Sequence, residues 1–134
     1  MGRKILAVIV ALITATCIIW IVEMVSTMAA ATSPKNAEYM TRDDWAAYMG
    51  SMPATSYAII LIGYILASFA AGFVVTKMGR RWSPGPTLTV IVGVLLTVAG
   101  VANLFMLPGQ PIWFMAASLV CYIPFSLLGY RFAR

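Results

Sequence analysis

The chain has 134 residues, 62% of them hydrophobic and 10% charged, with a mean hydropathy of +0.93. Soluble domains carry roughly 25% charged residues, and a chain this short cannot hide so many apolar side chains from water. The net charge of +5 sits beside apolar runs rather than among interleaved aromatics, so the expected partner is a lipid bilayer and no nucleic acid is expected.

Arg3 and Lys4 open the chain and an uncharged run follows from Ile5 to Val22. A bilayer core about 30 Å thick needs roughly 20 apolar residues of helix. The run is longer than the roughly 7–15 residues of a signal-peptide core, so an uncleaved span is expected despite the Ala29-x-Ala31 pattern. This first span is predicted over about 5–31, continuing past Glu23, with Ser33-Pro34 ending it.

Residues 32–53 form the main polar segment. Thr41 reads as a helix N-cap, Asp43 and Asp44 fall where the helix dipole favours acids, and Gly50 is placed just past the last turn. Trp45 and Met49 share a face at i, i+4. A short amphipathic helix over about 41–50, lying on the outer membrane surface, is predicted.

The second span is predicted over about 54–76, followed by Lys77, Arg80, Arg81 and the Ser83-Pro84-Gly85-Pro86 turn. No charged residue lies between Arg81 and Arg131. That stretch is long enough for two crossings, about 87–107 and 112–130, joined by Pro108-Gly109-Gln110-Pro111. Pro124 falls inside the fourth span as an expected kink.

The predicted fold is therefore all-α: a single-domain, integral membrane, antiparallel four-helix bundle. Seven basic residues (Arg3, Lys4, Lys77, Arg80, Arg81, Arg131 and Arg134) fall on one side and two (Lys35 and Arg42) on the other. This asymmetry predicts that both termini are cytoplasmic. Trp45, Tyr48, Tyr57 and Trp113 then occupy the outer boundary, with Trp82 and Tyr130 at the inner one.

Lipid tails are as apolar as leucine, so close packing of small residues, not burial of large ones, holds membrane helices together. Each span carries such a stripe: Ala7, Ala11 and Ala15; Gly63, Ala67 and Ala71, widened by Ser68 and Gly72; Thr89, Gly93, Thr97 and Gly100; Ser118, Tyr122 and Gly129. Small residues on more than one face of the second span also leave room for association, as a homo-oligomer or within a larger membrane complex.

Glu23 is the lone charge inside a span. A carboxylate near the bilayer centre costs roughly 3 kcal/mol, less toward the interface. The eleven Ile, Leu and Val residues from Ile5 to Val22 offset this at roughly 0.3–0.6 kcal/mol each. Thr16, Ser26 and Thr27 share the helical stripe of Glu23, and Asn103 is expected to arrive at about its depth. Asn103 is the first expected hydrogen-bond partner and Tyr57 the second. Such an acid serves either as a proton or cation site or as an interhelical tie.

The chain has no histidine and two cysteines, Cys17 and Cys121, both within apolar runs. His-based metal sites, His-ligated haem and Ser-His or Cys-His catalysis have no ligand or base here. No second intramembrane acid makes a carboxylate pair. No catalytic residue, metal or cofactor is expected, and the protein is not expected to be an enzyme.

Three segments carry a resemblance. They are Lys4-Ile5-Leu6-Ala7-Val8-Ile9-Val10 with Glu23 late in span one, Ala71-Gly72-Phe73-Val74 before a basic loop, and Asn103-Leu104-Phe105-Met106-Leu107-Pro108 followed by Pro111-Ile112-Trp113-Phe114. Together they resemble a family of small bacterial four-span inner-membrane proteins with no assigned activity. The resemblance covers nearly the whole chain and implies a multi-pass protein of the bacterial cytoplasmic (inner) membrane, but no reaction. In similar sequences a histidine is expected shortly after the span-one acid, whereas here the residues are Met24-Val25-Ser26-Thr27. A looser resemblance links Ile21-Val22-Glu23-Met24 to the small multidrug transporters, which are also four-span with a span-one glutamate. The first outer loop is longer here. The leading expectation is a non-enzymatic association or accessory protein; the alternative is a proton- or cation-coupled small transporter using Glu23.

Overall fold

The computed structural model describes residues 1–29 and 37–134. Its elements are α1 (Gly2–Ala29), a 3-10 turn (Ala37–Tyr39), α2 (Arg42–Ser51), α3 (Ala54–Gly79), α4 (Thr87–Met106) and α5 (Ile112–Ala133). All regular structure among the described residues is helical. Four of these helices, α1, α3, α4 and α5, are long and apolar enough to cross a membrane. The predicted end of span one, the Ser33-Pro34 stop, the Ala29-x-Ala31 pattern and Lys35 reach beyond the described residues.

The starts of α3, α4 and α5 follow Pro53, Pro86 and Pro111 at their N-caps. Proline has no N–H to leave unsatisfied there and cannot extend a helix backwards. α3 and α5 run about three residues beyond their predicted ends, carrying Lys77 and Arg131 in their last turns, where a cation suits the helix dipole. Pro124 sits within α5, which remains helical through to Ala133.

Chain neighbours run antiparallel. Ser26 of α1 donates to the Ser56 carbonyl of α3 at 3.2 Å, and Thr76 of α3 meets Thr89 of α4 at 3.0 Å. The closest pairing, however, is between α3 and α5, which run parallel. Their paired positions advance together: Tyr57 with Phe114, Tyr64 with Tyr122, and Ser68 with Ser126. Ser126 donates to the Ser68 carbonyl at 3.2 Å, and a methyl group built on Gly72 or Gly129 would overlap the facing backbone carbonyl of Ser126 or Phe69. Small residues thus let two backbones touch, which selects this pair over large-residue faces. α3 is the hub, packed on α1, α4 and α5, while the backbones of α1 and α5 do not come close.

The small stripes are consumed by this packing. Ala7, Ala11, Ala15, Ala67 and Ala71 have no exposed surface. Gly63 lies against Val22, Gly93 against Ile123 and Gly100 against the Tyr122 ring. Hydroxyls within the spans bond to carbonyls, as Ser68 does to Tyr64 and Thr97 to Gly93, because hydrocarbon offers no water partner.

Most of the basic residues gather at one end of the bundle. Arg3 lies over the Trp82 ring at 5.4 Å, Arg134 over Tyr130 at 5.6 Å, and the Tyr130 hydroxyl reaches the Pro84 carbonyl at 3.4 Å. Both termini therefore share an end with the α3–α4 turn. α2 lies at the opposite end, beside the α4–α5 turn. Gly109 there has φ +90°, and a side chain on it would press into the Ala46 backbone of α2, so only glycine fits both demands.

α2 begins at the predicted N-cap. Thr41 and Asp44 form a capping box: the Thr41 N–H and hydroxyl both donate to Asp44 Oδ2 at 3.0 Å, and the Asp44 N–H donates to the Thr41 hydroxyl at 3.3 Å. The other end differs from expectation. Gly50 lies inside the last turn, and Met52 caps the helix in an extended conformation, which sets the chain's direction into Pro53. The Thr41 N–H, and secondly its hydroxyl, hold the Asp44 carboxylate below its ordinary value. A lowered acid stabilises the folded form above its unfolded value of about 3.9, and the benefit is lost as pH falls through the lower folded value. The protection factors of the α2 amides, their exchange corrected for its intrinsic pH dependence, should therefore hold down to about pH 4 and fall below it. Asp44→Asn should flatten that dependence.

Candidate functional site

Glu23 lies six residues before the end of α1, about 9 Å inside it at 1.5 Å per residue. Its Oε1 accepts a hydrogen bond from the Tyr64 hydroxyl of α3 at 3.4 Å. Among the described residues no cationic side chain and no other hydrogen-bond donor engages the carboxylate. The contact is longer than the 2.5–3.0 Å usual for O–H···O, so Tyr64 orients Glu23 without satisfying it.

The expected partners are corrected here. No hydrogen bond joins Asn103 to Glu23 among the described residues, and Tyr57 donates instead to the Met49 carbonyl, fastening the end of α2 to α3. Helical rise alone does not choose among them; side-chain direction adds what it lacks, because side chains tilt toward the N-terminus of their helix. Tyr57 and Asn103 each lie three residues from the outer end of their helix, about 4.5 Å, whereas Tyr64 lies ten residues in, about 15 Å. Tyr64 reaches outward and Glu23 inward, so these two meet. Tyr57 and Tyr64 are seven residues apart, two helical turns on one face, and the deeper one reaches back toward the acid.

The remaining stripe divides. Ser26 has no exposed surface and faces α3 through its bond to Ser56, so it is a tie between helices. Thr16 and Thr27 donate to Leu12 and Met24 carbonyls of their own helix while their side chains line cavities.

Two of these cavities share Glu23, Tyr64 and Asn103 in their walls. The outer one, about 220 Å³, is roofed by Trp45, Tyr48 and Met49 of α2 and walled by Thr27, Met52, Tyr57, Ile60, Leu107, Gln110 and Phe114. The deeper one, about 230 Å³, lies between α1 and α4, with Thr16, Ile19, Leu96, Ala99, Gly100 and Tyr122. It exists because α1 packs mainly on α3 and touches α4 only lightly. Asn103 lines both cavities without being the acid's direct partner. Tyr122 and Phe114 were missed because their place at the site depends on the α3–α5 pairing, which is not a chain-neighbour contact; Tyr64 was passed over for the shallower Tyr57, and Gln110 lies in a turn.

The outer cavity is mostly aromatic and apolar. Tyr57 and Phe114 rings stand 4.9 Å apart, Tyr64 and Phe114 5.9 Å, and Trp45 and Tyr48 5.9 Å. Gln110 Oε1 is buried and has no hydrogen-bond partner. Among the described residues no three His, Cys, Asp or Glu side chains converge to hold a metal ion. An acceptor carboxylate and several aromatic rings make a site suited to positive charge. No protein-family model, curated protein or solved structure matches the chain, so the chemistry of the site must be argued from these residues.

Proposed function

We propose that this small multi-pass membrane protein is a non-enzymatic cation or proton carrier, with Glu23 as its binding group. The supporting observation is that Glu23 and Tyr64 form the wall shared by two cavities. A carboxylate used only as a tie would be enclosed by its partner; this one borders open volume above and below. Cation or proton flux in proteoliposomes tests the reading. Glu23→Gln should abolish flux while the protein remains folded; equal flux in wild type and Glu23→Gln would sink it.

The basic end of the bundle is proposed to face the cytoplasm, in a bacterial inner membrane, by the charge asymmetry. The cavity roofed by α2 would then open outward. Association as a homo-oligomer or accessory subunit is the second reading. It is favoured by one observation: α1 leaves Ile5, Ile9, Ile13, Trp20 and Ile21 exposed along its length. It is weakened by another, since the small residues expected to drive association are spent inside the bundle.

A further inference from the structure

We propose that the basic end of the bundle holds the phosphate of an anionic phospholipid, through arginines that the fold gathers from three separate elements. The inference goes beyond the carrier reading and stands whether or not Glu23 moves a cation. Arg3 opens α1, Arg81 lies in the α3–α4 turn and Arg134 follows α5. They are far apart in the chain, yet they meet around residues 82–84. The Arg3 guanidinium lies over the Trp82 ring at 5.4 Å and that of Arg134 over the Tyr130 ring at 5.6 Å, while the Tyr130 hydroxyl reaches the Pro84 carbonyl at 3.4 Å. All three arginines are exposed. A ring face holds a guanidinium from one side and leaves the N–H edges of its planar fork open to a phosphate.

Among the described residues no side-chain acid lies at this end: Glu38, Asp43 and Asp44 belong to the 3-10 turn and α2, and Glu23 to the outer half of α1. Membrane orientation alone does not account for the residues chosen, since lysine and arginine serve it equally. Five of the seven cations here are arginines, namely Arg3, Arg80, Arg81, Arg131 and Arg134. Arginine binds phosphate through two parallel bonds, whereas lysine offers a point charge. The occupant is a lipid rather than a soluble polyanion because apolar surface adjoins the charge. Phe132, next to Arg131, is 67% exposed and Trp82 is 39% exposed. Tryptophan and tyrosine sit at headgroup level, so a phosphate on these arginines would carry its acyl chains past the same rings. Clusters of basic residues beside a span are suited to anionic headgroups.

The test uses the full chain in micelles holding equal amounts of phosphatidylglycerol and phosphatidylcholine, with the retained lipid counted by native mass spectrometry. Phosphatidylglycerol should be retained in preference by about tenfold. Arg3→Gln and Arg81→Gln should each cut that preference by about fivefold. Arg3→Lys combined with Arg81→Lys keeps the charge, and with it the orientation and the fold, yet should still cut the preference about threefold. Arg42→Gln removes one cation from the α2 end and should leave the preference unchanged. Equal retention of the two lipids overturns the proposal. A preference that survives the lysine pair, or that falls as far in Arg42→Gln, also overturns it, because net charge is then the whole cause. Release of the bound lipid by millimolar glycerol 3-phosphate overturns it too, since the site then takes soluble phosphate.

Discussion

Gly72→Ala should lower the stability of the bundle by about 1–3 kcal/mol, and Gly72→Val by more. The added carbon would overlap the Ser126 backbone carbonyl, which belongs to a helix and cannot rotate aside as a side chain does. α3 and α5 would have to separate, and separation also breaks the Ser126–Ser68 hydrogen bond. In a bilayer no hydrophobic gain offsets this, because the newly exposed surface is simply covered by lipid. Gly129→Ala should act alike from the other side of the crossing, against the Phe69 carbonyl. Gly50→Ala is the control: nothing lies within 4 Å of its new carbon, and alanine in a helix gains about 0.5–1 kcal/mol over glycine. Denaturant-induced unfolding in mixed micelles measures all three. An unchanged midpoint for Gly72→Ala would mean that the two backbones do not touch.

Glu23→Gln should leave stability unchanged or raise it, even as it removes function. A carboxylate within a span costs up to roughly 2.5–3.5 kcal/mol, depending on depth. Hydrogen bonds between membrane helices average about 0.6 kcal/mol and reach about 1.7. The 3.4 Å bond from Tyr64 belongs at the weak end of that range. The tie therefore returns less than the acid costs, which is the pattern of a residue retained for use rather than for strength. A double-mutant cycle with Tyr64→Phe should give a coupling of about 0.6 kcal/mol, not above 1.7. If Glu23→Gln instead lost several kcal/mol, Glu23 would be a structural tie and the carrier reading would lose its footing.

These two predictions separate what the chain's pattern carries from what its packing decides. The spans were legible because bilayer thickness converts directly into a count of apolar residues, and because Pro53, Pro86 and Pro111 mark three of the starts. The Thr41–Asp44 cap was legible because it is local, spanning three residues. The end of α2 was less so: a glycine near a helix terminus reads as a stop, yet Gly50 continues the last turn and Met52 closes it.

The site was half legible. Glu23 stood out because an uncompensated charge in hydrocarbon is costly wherever it lies, and Asn103 and Thr27 were placed in its neighbourhood by counting along helices. Tyr64 was missed because Asn103 and Tyr57 lie nearer Glu23 by helical rise, about 4.5 Å against about 6 Å, and counting along helices leaves out the direction in which side chains reach. Gln110 had no signal at all: a glutamine in a turn reads as solvated, and only the fold of α2 over the α4–α5 turn buries its oxygen.

By itself, the sequence determined that four helices are long and apolar enough to cross a membrane, that most basic residues collect at one end, and that a single acid lies within one of those helices. Each of these follows from the free energy of transferring side chains into lipid, which depends on the residues and hardly on their neighbours. Tertiary structure alone decided that α3 pairs most closely with the parallel α5, that Tyr64 rather than Asn103 meets the acid, and that two cavities flank that meeting. Small-residue stripes say that helices can approach but not which ones do. That choice rests on the fit of particular surfaces across the bundle, a property of pairs of helices that no single stretch of chain contains.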